Sequence, residues 1–171
     1  SSKRVDLLRK QEVDIAQFLT PLEISSLKNE NDISVDQVHS SNMVWINLNC
    51  KQQPFDSKSV RQAMNIVFPK LKALETVYQN YGRILGGVLP DFYPGYVGES
   101  YYTKTNLEKA KELLKDSGYS SGFSTYCIYD EGQEFMKPLL NLYKVSLELI
   151  GVNLSLKPIS SESYFNELQS N

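Results

Sequence analysis

The sequence predicts an α/β fold, with a mixed central sheet flanked by helices, built as a single domain over residues 1–171. Two observations predict it. Stretches with the 3.6-residue apolar period of a helix alternate along the chain with stretches that alternate every second residue, as strands do. The composition, 41% hydrophobic and 22% charged, is that of a globular domain with one core of ordinary size.

The elements follow in order. Residues 5–11 read as the end of a helix, and residues 14–19 as a short strand. At Thr20-Pro21-Leu22-Glu23 the hydroxyl, the proline and the glutamate stand at the N-cap, first-turn and capping-box positions of a helix running to about Lys28. Residues 33–38 are a plausible strand and residues 43–49 a stronger one. There Val44, Ile46, Leu48 and Cys50 share one face, and Trp45, Asn47 and Asn49 the other. Asp56 is placed to cap a helix whose apolar stripe is Val60, Ala63, Met64 and Val67. Pro69 breaks that helix and opens the next, with Leu71, Leu74, Val77 and Tyr78 as its stripe.

Residues 81–104 are different. They hold five of the nine glycines, two of the seven prolines, and Tyr81, Tyr93, Tyr96, Tyr101 and Tyr102. A connection this long inside a compact domain is functional or disordered, and its aromatics speak against disorder. Regular structure resumes at Asn106 with a helix faced by Leu107, Ala110, Leu113 and Leu114 and closed by Gly118. A strand over 123–129 and a turn at Asp130-Glu131-Gly132 come next. Then comes a longer helix striped by Leu139, Leu142, Tyr143, Ser146, Leu149 and Ile150. A strand over 152–156 and a short helix over 161–169 finish the chain.

Much chemistry is missing from this sequence. It has no phosphate-binding glycine loop, no H-E-x-x-H and no G-x-S-x-G. His39 is the lone histidine, in a polar loop, so no metal, cofactor or catalytic activity is expected. The formal net charge of −2 gives no electrostatic reason to expect nucleic acid. Cys50 and Cys127 do not make a disulfide framework; their spacing is compatible with one bridge or with two separate thiols.

Several segments in order carry a resemblance. Asn47-Leu48-Asn49, then Pro54-Phe55-Asp56, then Val60-Arg61-Gln62-Ala63-Met64-Asn65 resemble the N-x(n)-P-F-D-x-x-x-V-R-Q-A-(L/M)-N stretch of the family-5 solute-binding proteins of ABC importers, which take oligopeptides, dipeptides or nickel. Ala110-Lys111, Leu113-Leu114 and Gly118-Tyr119 are similar to the A-K-x-L-L-x-x-A-G-Y helix of that family. Residues 147–156 are similar to its L-x-x-I-G-V-x-V-x-L stretch, and residues 8–16 to its L-x-x-G-E-x-D-I-A stretch. Gln11 stands where the family usually has glycine, and Ser117 where it usually has alanine.

The resemblance implies one lobe of a two-lobed, periplasmic-binding-protein-like fold, with the chain covering most of the second large lobe. It implies capture of a peptide or similar small solute between two lobes, a membrane permease and the first lobe as partners, and a periplasmic or extracellular, membrane-anchored setting. It also implies that the acidic residue gripping a peptide amine lies outside this chain. A solute-sensing domain of a cytoplasmic transcription regulator would use the same fold and is the alternative. Within this frame Asn49, Pro54, Phe55, Asp56 and Arg61 read as a structural motif, because the motif recurs with different solutes. The tyrosines of residues 81–104 are the candidates for the cleft surface; the other reading has them pin the loop to its own domain.

Overall fold

The structure, a computed structural model, describes residues 2–38, 40–87, 89–90, 92–96, 98 and 104–170. His39, Tyr101 and Tyr102 lie outside the described residues. The chain divides into two compact units, Ser1–Met43 and Val44–Asn171.

The first unit holds α1 (Lys3–Arg9) and α2 (Pro21–Leu27). Val5 and Leu27 are its fully buried side chains among the described residues. The capping box forms: Thr20 accepts from the Glu23 amide, and the Glu23 carboxylate accepts from the Thr20 amide at 2.8 Å. The same carboxylate accepts from the Ser2 amide at 3.2 Å, and the Ser2 side chain first, then the Thr20 and Ser2 amides, hold its pKa below the ordinary glutamate value. Arg9 forms a salt bridge with Glu30 at 2.7 Å. After α1 the Gln11 amide bonds to the Leu8 carbonyl and the Glu12 amide to the Leu7 carbonyl, the paired bonds of a Schellman cap. Gln11 takes the left-handed position of that cap at φ 57°. The strands expected over 14–19 and 33–38 are absent. Phe18 has φ 56°, outside the extended region, and residues 33–38 form no ladder.

The second unit contains α3 (Lys58–Val67), α4 (Lys70–Thr76), α5 (Leu107–Asp116), β1 (Phe123–Asp130), α6 (Met136–Glu148), β2 (Val152–Ile159) and α7 (Ser161–Ser170). Strands β1 and β2 pair in parallel, Phe123 opposite Val152 through Asp130 opposite Ile159. Their shared face, with Phe123, Cys127, Val152, Leu154 and Leu156, joins a core with Val60, Met64 and Val67 of α3, Ala110 and Leu114 of α5, and Tyr143 and Leu147 of α6. Burying one such side chain contributes about 1.5–3 kcal/mol.

Further details of the sequence reading change in this unit. Residues 43–49 are not a strand. Ile46 and Leu48 do pack on the core, but Val44 and Cys50 of the same expected face are exposed, and no neighbouring strand among the described residues offers a ladder. On α4 the buried residue is Ala73, and Leu71 is exposed. On α6 Leu139 and Tyr143 are buried as expected, but Leu140 and Leu147 are buried as well and Leu149 is exposed.

Helix α3 ends at Val67, since Pro69 has no amide to continue it. The Phe68 amide turns to the Asn65 carbonyl, and Tyr143 of α6 donates its hydroxyl proton to the Met64 carbonyl at 2.9 Å. Helix α5 ends in a second Schellman cap, with Gly118 at φ 84° and the Tyr119 amide on the Leu114 carbonyl at 2.8 Å. Both thiols are free, Cys50 exposed and Cys127 half-buried. No helix among the described residues is long and apolar enough to cross a membrane.

Candidate functional site

The connection from α4 to α5, residues 77–106, leaves α4 through consecutive left-handed residues, Gln79 and Asn80. Tyr78 anchors its start. The ring lies 5.8 Å from that of Phe135, and burial pushes its phenol up to about 12. Tyr81 follows half-buried, its amide bonded to the Tyr78 carbonyl at 2.7 Å.

Further on, two turns run in succession. The Tyr93 amide bonds to the Pro90 carbonyl at 3.0 Å, and the Tyr96 amide to the Tyr93 carbonyl at 3.2 Å. In the second, Tyr93-Pro94-Gly95-Tyr96, proline stands at the position that wants φ near −60°. Gly95 at φ 93° takes the one that needs positive φ, which is type II turn chemistry. Tyr93 and Tyr96 therefore stand at the two ends of one tight turn. Tyr93 is 45% exposed and Tyr96 half-buried. The ring of Phe92, also exposed, lies 5.0 Å from that of Tyr93. This patch is aromatic and carries two phenol hydroxyls: apolar area for a solute's side chains and donors or acceptors for its amides. The sequence reading missed Phe92; its signal was an apolar ring set beside Pro90 and Tyr93 in a loop otherwise rich in glycine.

The motif residues sit elsewhere, in the segment that leads into α3. The Asn49 side chain accepts from the Lys51 amide at 3.0 Å. Pro54 and Phe55 are half-buried, and the Phe55 ring meets Phe123 edge-on at 6.0 Å. Phe123 in turn meets Tyr119 at 5.5 Å. Asp56 does not cap α3. Its carboxylate accepts from the Ser57 amide at 2.9 Å, and the N-cap is Ser57, whose hydroxyl accepts from the Val60 amide. The chain enters α3 in extended conformation at Ser57, so that residue's oxygen points at the free amides of the first turn. Arg61 donates through Nη1 to the carbonyls of Phe55 at 2.7 Å and Asp56 at 2.9 Å, tying the loop to its own helix. Among the described residues no group of three His, Cys, Asp or Glu is placed to hold a metal ion.

Comparison with known proteins places this architecture. Residues 1–171 match the family model "Bacterial extracellular solute-binding proteins, family 5 Middle". The dipeptide-binding protein of Escherichia coli K12 is 29% identical over 124 residues, covering 72% of this chain and 23% of that protein. Heme-binding protein A of Haemophilus influenzae is 31% identical over 112 residues, covering 66% of this chain and 20% of that protein. The periplasmic binding protein DppA of Helicobacter pylori, an ABC transporter-associated protein solved with a bound peptide, superposes with a TM-score of 0.86 at 26% identity over 96% of this chain and 32% of its own. The chain thus spans about a third or less of the length of the relatives it matches. With its helices on a parallel β1–β2 pair and a match along its whole length, the chain belongs to the bacterial extracellular solute-binding proteins of family 5.

Proposed function

We propose that this chain forms most of the second large lobe of the solute-capturing component of an ABC importer, and that residues 81–104 provide its wall of the binding cleft. The observation that carries the reading is the pair of exposed rings, Phe92 and Tyr93, on a turn held in shape by its own backbone bonds and closed by the half-buried Tyr96. The solute is a peptide or a similar small molecule, as for the dipeptide-binding relative and the peptide-bound neighbour. Tyr81, Tyr101 and Tyr102 belong to the same wall in this reading. The motif residues Asn49, Pro54, Phe55, Asp56 and Arg61 act as scaffold, Arg61 through its two carbonyl bonds.

Function here is binding without catalysis. The first lobe of the same protein closes over the solute by a hinge, and the closed form docks on a membrane permease. The protein works outside the cytoplasm, anchored to the membrane. Calorimetry on the intact protein with short peptides tests the site. Tyr93→Ala and Tyr96→Ala should each weaken binding roughly tenfold or more. Unchanged affinity in both would remove the loop from the cleft.

A further inference from the structure

The connection that carries the aromatic turn begins with unfavourable features in immediate succession. The first is Tyr78. Its hydroxyl oxygen is sealed from solvent and has no hydrogen-bond partner among the described residues. A buried polar group left unpaired is costly, and folded proteins hold few of them. Next come Gln79 and Asn80, at φ 47° and 64°. The Tyr81 amide bonds to the Tyr78 carbonyl at 2.7 Å across them. Positive φ at both central residues is the mark of a type I′ turn, which favours glycine at the second of them.

Further on, where the described residues of this connection take positive φ, they are glycines: Gly82, Gly95 and Gly98. The root is built without one. Asparagine tolerates the left-handed region, but a glutamine there is strained. Such an arrangement persists only where its surroundings hold it. Here the Asn80 amide bonds to the Leu74 carbonyl at 2.9 Å, and the Tyr78 ring lies 5.8 Å from that of Phe135. Phe135 stands between the carboxyl end of β1 and the start of α6. That is the end of a parallel sheet at which ligands are received. Strain gathers at ligand clamps and switches, where it biases an equilibrium between two arrangements.

We propose that residues 78–80 are a loaded pivot: as the aromatic turn at residues 92–96 closes on its solute, the left-handed pair relaxes and Tyr78 leaves its pocket, so that its hydroxyl gains a partner. The pivot serves the cleft assigned above and rests on that assignment. Part of the affinity for solute then comes from strain relieved within the protein. A substitution that makes the strained arrangement comfortable holds the turn back.

Two variants of the intact protein test this. Gln79→Gly removes the strain at φ 47°, and Tyr78→Phe removes the unpaired hydroxyl while keeping a ring on Phe135. Each should raise the melting temperature. Each should also weaken calorimetric binding of the short peptide that the intact protein binds best, roughly three- to tenfold, because what stabilises one arrangement disfavours the other. Gln11→Gly relieves the same conformation in the cap of α1, far from the turn in sequence, and should raise the melting temperature with affinity unchanged. Unchanged or tighter binding in the two pivot variants would overturn the pivot. So would the absence of any gain in stability, or an equal loss of affinity in Gln11→Gly. Weakened binding in Tyr93→Ala and Tyr96→Ala together with unchanged binding in the pivot variants removes the pivot and keeps the cleft.

Discussion

Tyr143 of α6 donates its hydroxyl proton to the carbonyl of Met64 in the last turn of α3, joining two helices 79 positions apart in sequence at 2.9 Å. The carbonyl is one that the helix end leaves over, because Phe68 bonds to Asn65 and Pro69 has no amide. The ring of Tyr143 also packs on Phe68 at 4.8 Å. Burial, followed by the neighbouring Cys127, pushes the phenol well above its usual pKa. Tyr143→Phe keeps the packing and strands the carbonyl. The variant should lose about 1–3 kcal/mol in urea unfolding. A loss within experimental error would show that the bond contributes nothing net.

Gln11 and Gly118 occupy the same left-handed position of two Schellman caps, at φ 57° and φ 84°. A side chain there costs roughly 1–2 kcal/mol, partly offset by the greater freedom glycine loses on folding. Gln11→Gly should therefore raise stability by about 0.5–1 kcal/mol, and Gly118→Ala should lower it by about 1 kcal/mol or more. Thermal melts of the two variants, moving in opposite directions, are the check.

Asp130 accepts from the Gly132 amide at 2.9 Å and from the Ser161 hydroxyl at 2.8 Å, and these bonds hold its pKa below the ordinary aspartate value. A lowered folded pKa gives stability that is present above the unfolded value of roughly 3.9 and is lost as pH falls through the folded one. The stability difference between the wild type and Asp130→Asn should then be constant at neutral pH and shrink on acidification below about pH 4. A difference that does not change with pH would mean that the carboxylate charge is immaterial.

The thiols should differ in reactivity. Burial raises the Cys127 pKa to about 11, so little thiolate forms near neutral pH, while Cys50 is exposed. Native-state alkylation should modify Cys50 first, with Cys127 reacting only on unfolding, as mass spectrometry of the labelled peptides would reveal.

The isolated 171-residue chain should bind short peptides feebly. If each of two lobes gave half of a micromolar affinity's roughly 8 kcal/mol, one alone would bind at about millimolar strength. Micromolar calorimetric binding to this chain would place the whole site within one lobe.

What the sequence made readable were the local signals. Thr20 and Glu23 announced their capping box, Gly118 its helix end, and the alternation Val152, Leu154, Leu156 its strand. Each depends on neighbours a few residues away. The run 43–49 looked equally strand-like, but a ladder needs a partner, and pairing is a property of distant chain. Asp56 and Ser57 are both good caps, and only the backbone path at Ser57 decides between them. In the candidate site the turn chemistry of Pro94 and Gly95 was present in the letters. The pairing of the Phe92 and Tyr93 rings was not, because it depends on how two successive turns are stacked.

Phe55, Phe123 and Tyr119 form one aromatic chain, and Phe55 and Tyr119 come from two of the stretches by which the family is recognised. Those stretches meet as mortar between the α3 loop, the end of α5 and the first residue of β1. The aromatic turn at residues 92–96 is separate in sequence from all three. With the turn lining the cleft as proposed, a lineage can rewrite it, and with it the cargo, without disturbing the masonry: change of diet and persistence of architecture are uncoupled, and one scaffold can supply importers for very different nutrients.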